Sequence, residues 1–195
     1  MTEKLKGAEA TVKISDSEVE KQRKQKKYRH PEIDNRIRDE RTEMEKKLMQ
    51  EARQHNVNVP ETEKKDKHSL KIQKIDGQPL KQVVNQKTEQ VRQLGEQVAL
   101  LHSINIIHGD LTTSNVIIEK ETEKPFLIDF GLAFRSERAE DKAVDIHLFK
   151  QVLESSHPEK AGKAWKQFLD GYREYSEAEK VLEQLKEVEK RGRYK

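Results

Sequence analysis

A chain of 195 residues is long enough for one ordinary domain or for two small lobes sharing a cleft. Its 39 lysines and arginines nearly cancel 36 aspartates and glutamates, so the formal charge of +3 is no argument for nucleic acid, and the absence of cysteine excludes disulfides and thiolate metal sites. No apolar run approaches the roughly 20 residues that span a bilayer, and the charged start MTEKLKGAEA lacks a signal-peptide core, so the sequence predicts a cytoplasmic protein.

The first elements are β-prone. Residues 5–14, LKGAEATVKI, read as a glycine-containing turn entering a strand, followed by a polar turn at 15–17 and a short strand from Val19 to Arg23. One glycine lets phosphates approach the backbone closely, although Gly7-Ala8-Glu9-Ala10 alone also fits a plain hairpin. Lys21 would act as a point charge beside phosphates; in company with Arg23, Lys24, Lys26, Lys27 and Arg29 it equally fits a solvated basic edge. After Tyr28-Arg29-His30-Pro31, the spacing of Ile33, Ile37, Met44 and Leu48 predicts a long helix to about Gln54. Glu45 on this helix is the candidate counter-charge for Lys21, in a stretch crowded with other acids. Residues 57–60 are predicted as a short strand, 61–68 as a charged loop, and 70–75 as an edge strand stopping at the Asp76-Gly77 turn.

The chain changes character near residues 76–79, which divides it into an N-lobe (1–77), a C-lobe (78–190) and a basic tail (191–195). Val84, Val91, Leu94, Val98 and Leu101 describe one apolar face of a helix from about Leu80 to Ile106. It leads into IIHGDLTTSNVIIEKETEKPFLIDFGL, residues 106–132. Phosphoryl transfer needs a carboxylate near the attacking oxygen and oxygen ligands for Mg²⁺. Asp110 can accept or orient the proton of the attacking hydroxyl or water, and Asn115 and Asp129 can hold the metal. Val116–Ile118 and Phe126–Ile128 read as strands joined by a charged turn, which brings those two ligands together. Each piece alone is ordinary turn chemistry; their order and spacing match the catalytic and metal loops of the protein-kinase superfamily.

Beyond Gly131 only about ten residues precede the next helix and no Ala-Pro-Glu follows, which leaves no room for a long activation segment. Gly109 stands where kinases usually carry an arginine that pairs with a phosphate on that segment, so its presence fits the short connection. Helices are predicted over 141–155, from 157 or 158 to 175, and over 177–190, with Trp165, Phe168, Leu169, Tyr172, Leu182 and Leu185 as core. Asp145 is a candidate brace for the catalytic-loop backbone, and Ser136, Ser155 and Ser156 are candidate autophosphorylation sites. The tail Arg191-Gly192-Arg193-Tyr194-Lys195 either frays or offers positive charge to a phosphate.

Further blocks sharpen the match. Gly7-Ala8-Glu9-Ala10, Lys21-x-Arg23, Lys27-Tyr28-Arg29-His30-Pro31, Arg41-Thr42-x-x-Glu45, His108 to Asn115, Ile128 to Leu132, Glu140-Asp141-Lys142-Ala143-Val144-Asp145 and the terminal Arg-Gly-Arg together resemble the small atypical kinase family of the KEOPS (EKC) complex. The resemblance covers nearly the whole chain, and its motif order is similar to that of RIO kinases. It implies an α+β, miniature bilobal protein-kinase-like fold, with a small β-rich N-lobe carrying one long helix and a reduced helical C-lobe. It implies ATP and Mg²⁺ as cofactors, the turn Gly7, Ala8, Glu9 and Ala10 over the phosphates, Lys21 on the α- and β-phosphates and paired with Glu45, Asp110 as catalytic carboxylate, and Asn115 and Asp129 as metal ligands.

The activity implied is a serine/threonine protein-kinase-type phosphotransferase with ATPase activity. It would support threonylcarbamoyladenosine formation on tRNA, with the KEOPS threonylcarbamoyl-transferase subunit and the other KEOPS subunits as partners. Lys24, Lys26, Lys27, Arg191, Arg193 and Lys195 are the candidate tRNA or partner contacts. Thr112 departs from the lysine typical of protein kinases, which predicts slow turnover in isolation. Two other readings share these residues. One is a small-molecule kinase of the aminoglycoside type, which also uses His-Gly-Asp followed five residues later by Asn; the other is a non-catalytic scaffold that binds nucleotide or tRNA.

Overall fold

The computed structural model describes residues 3–7, 9–84 and 86–192; Ala8, Arg193 and Lys195, named above, lie outside the described residues. The N-lobe is a five-stranded antiparallel sheet and one long helix: β1 (Glu3–Lys6), β2 (Ala10–Ile14), β3 (Glu18–Arg23), α1 (Pro31–Gln54), β4 (Thr62–Asp66) and β5 (Ser69–Gln73), with strand order β1-β2-β3-β5-β4. Pro31 opens α1, where its fixed φ suits the first turn. Asp34, fully buried in that turn, accepts hydrogen bonds from the Lys26 amide (3.2 Å) and Arg38 Nε (2.7 Å) and so ties the helix start to the end of β3. Leu48, Met49 and Ala52 carry the buried face of α1.

Two sequence expectations fail in this lobe. Residues 57–60 form no strand, and the expected charged loop at 61–68 contains β4, which takes the sheet edge and leaves β5 between β3 and β4. An edge strand needs only one paired side and one inward residue, here Thr62, while Glu63 and Lys65 face water, so apolar alternation never marked it. Val57 and Val59 are buried for a different reason. The Leu127 amide donates to the Asn58 carbonyl (2.9 Å) and the Asn58 amide to Gln97 Oε1 (2.6 Å), so this crossing stitches the end of α1 to the other lobe without a ladder.

The helical lobe begins with β6 (Gly77–Pro79), then α2 (Leu80–Val83), α3 (Thr88–Ser103), β7 (Ile106–Ile107), β8 (Val116–Glu119), β9 (Pro125–Leu127), β10 (Phe134–Arg135), α4 (Ala139–Ser156), α5 (Ala161–Tyr172) and α6 (Ala178–Gly192). β8 lies between β6 and β9, and β7 pairs with β10. The single helix expected over 80–106 is thus two: Lys87 caps α3 with non-helical φ −108° and ψ 59°. Val83 and Val84 from the first piece and Val91 and Leu94 from the second enter the same core, so their spacing conceals the break. Of the expected core residues, Phe168, Tyr172, Leu182 and Leu185 are buried, while Trp165 and Leu169 are partly buried against them.

Helices α3 and α5 cross backbone to backbone. A Cβ on Gly171 would lie 1.9 Å from the Arg92 carbonyl oxygen, and one on Gly95 would lie 2.1 Å from that of Phe168. Gly171→Ala is therefore expected to cost about 3 kcal/mol in urea denaturation, at the upper end of overpacking penalties. Gly162, in the same helix, has nothing within 4 Å of its Cβ position, and Gly162→Ala is expected to stabilise by up to about 1 kcal/mol.

Candidate active site

The β8–β9 register pairs Val116 with Leu127, and the Ile128 amide donates to the Asn115 carbonyl (3.0 Å), so the hairpin sets Asn115 one residue from Asp129 across the ladder. Asn115 Nδ2 donates to both Asp110 O (2.9 Å) and Asp110 Oδ2 (2.8 Å). These bonds fix the amide so that Oδ1 is its outward atom, and among the described residues that oxygen has no partner. His108 Nδ1 accepts from the Asp110 amide (3.3 Å), which leaves Nε2–H to donate to the Ile128 carbonyl (3.0 Å). One imidazole thus clamps the 108–110 loop to the segment that carries Asp129.

Asp129 has φ +62°, a left-handed conformation uncommon outside glycine, which turns its carboxylate back toward the N-lobe. Its Oδ1 accepts from Lys21 Nζ (2.6 Å) and the Gly131 amide (3.2 Å), and Lys21 Nζ also donates to Glu45 Oε1 at 2.5 Å. Partial burial opposes ionisation of Asp129, but the Lys21 ammonium outweighs it and holds the carboxyl below its ordinary range. The pairing proposed for Lys21 and Glu45 is present, then, and Lys21 also reaches the hairpin. Val12, Ile14, Val19, Ile72, Ile117 and Ile128 wall an apolar cavity of about 310 Å³ between the lobes, with Lys21 and Asp129 also in its lining. Ile75, in the 74–76 crossing, lines it too, and among the described residues its backbone N–H and C=O make no hydrogen bond.

Behind the loop, Asp145 accepts from the His108 amide at Oδ2 and the Gly109 amide at Oδ1, each 2.9 Å, and from His102 Nε2 (3.2 Å). His102 Nδ1 takes the Tyr172 hydroxyl at 2.8 Å. Asp145 thus braces the loop backbone, as its position suggested, whereas His102 and Tyr172 carried no signal beyond an apolar helix face. Burial drives the His102 pKa down from 6.5 despite its bond to Asp145. Burial likewise opposes ionisation of Asp145, yet the hydrogen bond from His102 and the loop amides hold its carboxyl below 3.8. The unfolded chain therefore binds both protons more readily. Stability is expected to fall as pH drops below about 6.5 toward the lower folded value for His102, with a second loss below about 4 from Asp145. Urea midpoints between about pH 8 and 3 check this, and His102→Gln should flatten the upper part of the slope.

Gly109 has a steric reason that the sequence did not disclose. Its φ is +78°, and a Cβ there would lie 2.3 Å from the Leu132 carbonyl oxygen, because the segment after Gly131 folds directly against the loop. That segment forms β10 on β7, and Arg135 pairs with Glu51 of α1. The Glu140–Asp145 block is similarly accounted for. Glu140 pairs with Arg191 (2.9 Å), Asp141 accepts the Ser136 hydroxyl (2.6 Å), and buried Lys142 donates to Asn105 Oδ1 (2.8 Å) and the Tyr175 hydroxyl (2.9 Å). Ser155 and Ser156 are exposed at the end of α4.

The Gly7–Ala10 turn is closed by the Gly7 amide on the Ala10 carbonyl (3.0 Å). Lys24 Nζ donates to the Gly7 carbonyl (2.6 Å), while Glu9 pairs with Lys26 (3.0 Å) and Arg41 (3.5 Å). Two of the lysines considered for outside contacts therefore hold this turn, and Lys27 is exposed.

Residues 2–160 match the family described as the RIO domain. The chain belongs to the RIO domain family. This RIO domain chain is 36% identical over 187 residues to the KEOPS complex subunit Bud32 of Pyrococcus abyssi, covering 91% of itself and 84% of that protein. It is also 40% identical over 194 residues to a probable bifunctional tRNA threonylcarbamoyladenosine biosynthesis protein of Methanosarcina barkeri, covering 96% of itself and 35% of that protein. It spans about a third of the length of such bifunctional relatives. Among solved structures, the Rio2 kinase of Chaetomium thermophilum superposes with TM-score 0.68 at 16% identity over 98% of this chain and 72% of that one. A Rio2 kinase–ADP/Mg²⁺–phosphoaspartate complex from the same organism gives 0.59 at 18% identity, over 99% and 71%. The RIO kinase fold read from the motifs is therefore the fold observed. No helix among the described residues is long and apolar enough to cross a membrane.

Proposed function

We propose that this RIO domain is the ATP-dependent kinase or ATPase subunit of a KEOPS-type complex and that it supports threonylcarbamoyladenosine modification of tRNA with a transferase partner. The observation that carries the reading is Lys21, held at once by Glu45 of α1 and by Asp129 at the end of the hairpin. That contact joins the N-lobe cation to the hairpin end that lies one residue across the ladder from Asn115, beside an apolar cavity suited to a nucleobase.

In this reading the base enters between Val12 and Ile117, with the Ile75 backbone as its hydrogen-bond partner, and Lys21 takes the α- and β-phosphates under the Gly7–Ala10 turn. The donor set fits Mg²⁺, a hard cation content with one or two protein oxygens plus phosphates: Asn115 Oδ1 and Asp129 Oδ2 have no partner among the described residues. Bound there, Mg²⁺ would neutralise charge on the phosphates. Asp110 orients the attacking hydroxyl or water and accepts its proton, while Asn115 fixes the Asp110 carboxylate at 2.8 Å. Thr112 adds no cation near the transferred phosphoryl group, which keeps the isolated chain slow. Lys27 and the basic end beyond Arg191 are the parts suited to tRNA or partner contact.

The test is phosphate release from MgATP by the purified chain alone, with the threonylcarbamoyl-transferase partner, and with partner and tRNA. Slow release that rises in the mixtures is expected. Equal rates in all three would contradict the subunit role.

A further inference from the structure

Arg23 has no part in the reading above, yet it belongs to the same chain of charges. Its residue is 7% exposed; Nη2 donates to Glu45 Oε2 and, at 3.4 Å, to the Arg41 carbonyl, and its buried Nε–H has no acceptor among the described residues. Lys21 and Arg23 are two residues apart on β3 and so share one face of the strand. They divide the Glu45 carboxylate, one oxygen each, and the charges run Arg23, Glu45, Lys21, Asp129 in alternating sign.

On the reading of the cleft as a MgATP site, on which this inference rests, Lys21 keeps its pair with Glu45 while sharing its ammonium with the phosphates, and Asp129 turns to the metal. Glu45 is 1% exposed and cannot turn to water for compensation. A buried carboxylate left with only a shared cation is unfavourable, and that cost would weaken nucleotide binding. We propose that Arg23 is a positioning residue that keeps Glu45 compensated and in place while Lys21 serves the nucleotide. Its second bond, also from Nη2, reaches the Arg41 carbonyl one turn before Glu45 and so anchors α1 at two points.

Calorimetric titration of ADP with Mg²⁺ into wild type, Arg23→Met, Arg23→Lys, Glu45→Gln and the Arg23→Met/Glu45→Gln double variant tests this. Arg23→Met is expected to weaken binding by roughly tenfold, the usual scale of such couplings, and Arg23→Lys to recover part of the loss. The double variant should bind no more weakly than Glu45→Gln alone, because Arg23 acts through that carboxylate. Thermal melts run alongside; if Arg23→Met does not fold, Arg23→Lys carries the same comparison with a smaller loss that disappears in the Glu45→Gln background. Unchanged affinity in a folded Arg23 variant overturns the proposal, and so does a loss that adds in full to that of Glu45→Gln. Failure of the underlying site reading looks different: wild type itself then binds no nucleotide, and the proposal falls with it.

Discussion

Asp110→Ala is expected to slow phosphate release from MgATP by about 10²- to 10⁴-fold, the range contributed by a positioned general base, while ADP affinity stays within about a factor of two. The two effects separate because Asp110 touches neither Lys21 nor Asp129. Among the described residues the Asn115 amide holds its Oδ2 and the His108 ring its backbone N–H, which leaves Oδ1 to serve the attacking oxygen. Removing it leaves the cavity, the Lys21–Glu45 pair and the outward Asp129 oxygen intact. Asp110→Asn is the closer isostere and keeps an oxygen for the Asn115 bond, but its NH₂ would then face the attacking oxygen and could still orient it. Alanine gives the cleaner measurement. Single-turnover phosphate release beside ADP titration checks both halves, and a large fall in affinity would mean that Asp110 organises the site instead of acting on the reacting oxygen.

Asp145→Ala is expected to destabilise the fold by about 3–5 kcal/mol, the cost of leaving three N–H donors without their buried acceptor at about 1–3 kcal/mol each. Three N–H donors lose their acceptor together: the His108 and Gly109 amides and His102 Nε2. Both Asp145 and His102 side chains are fully buried, so water cannot replace the carboxylate without opening the packing of α4 on α3 and α5. At about 2–4 °C per kcal/mol for a chain of this size, the melting temperature should drop by about 10 °C. The urea midpoint should fall with little change in slope. Because two of the three stranded donors are backbone amides beside Asp110, turnover should decline even below the melting range. Asp145→Asn keeps one acceptor and should lie between. A destabilisation under about 1 kcal/mol would show that the brace is redundant.

The legible part of the molecule was the part written in local spacing. Asp110, Asn115 and Asp129 were marked by residue type and order, and the hairpin length predicted that Asn115 and Asp129 would meet; Lys21 and Glu45 stood out from the charges around them only through the family resemblance. Asp145 followed from helical placement. The edge strand β4 was hidden because an edge exposed on one side can be almost wholly charged, and the break between α2 and α3 because both pieces feed one core. Gly109 shows a subtler gap. Its identity could be connected to the short segment after Gly131, but the contact with the Leu132 carbonyl arises from chain crossing that no periodicity encodes. The second hand on Glu45 was partly readable, since Lys21-x-Arg23 puts two cations on one strand face; the carboxylate they share lies 22 residues beyond Arg23.

The measurement that bears most directly on the cleft is the Mg²⁺ dependence of ADP binding by wild type and Asp129→Ala, titrated with and without the metal. The arrangement of Lys21, Asn115 and Asp129 predicts that wild type binds ADP and gains affinity with Mg²⁺, and that Asp129→Ala keeps metal-free binding while losing the gain. No ADP binding by wild type at millimolar concentration, or a Mg²⁺ gain that survives in Asp129→Ala, would contradict it.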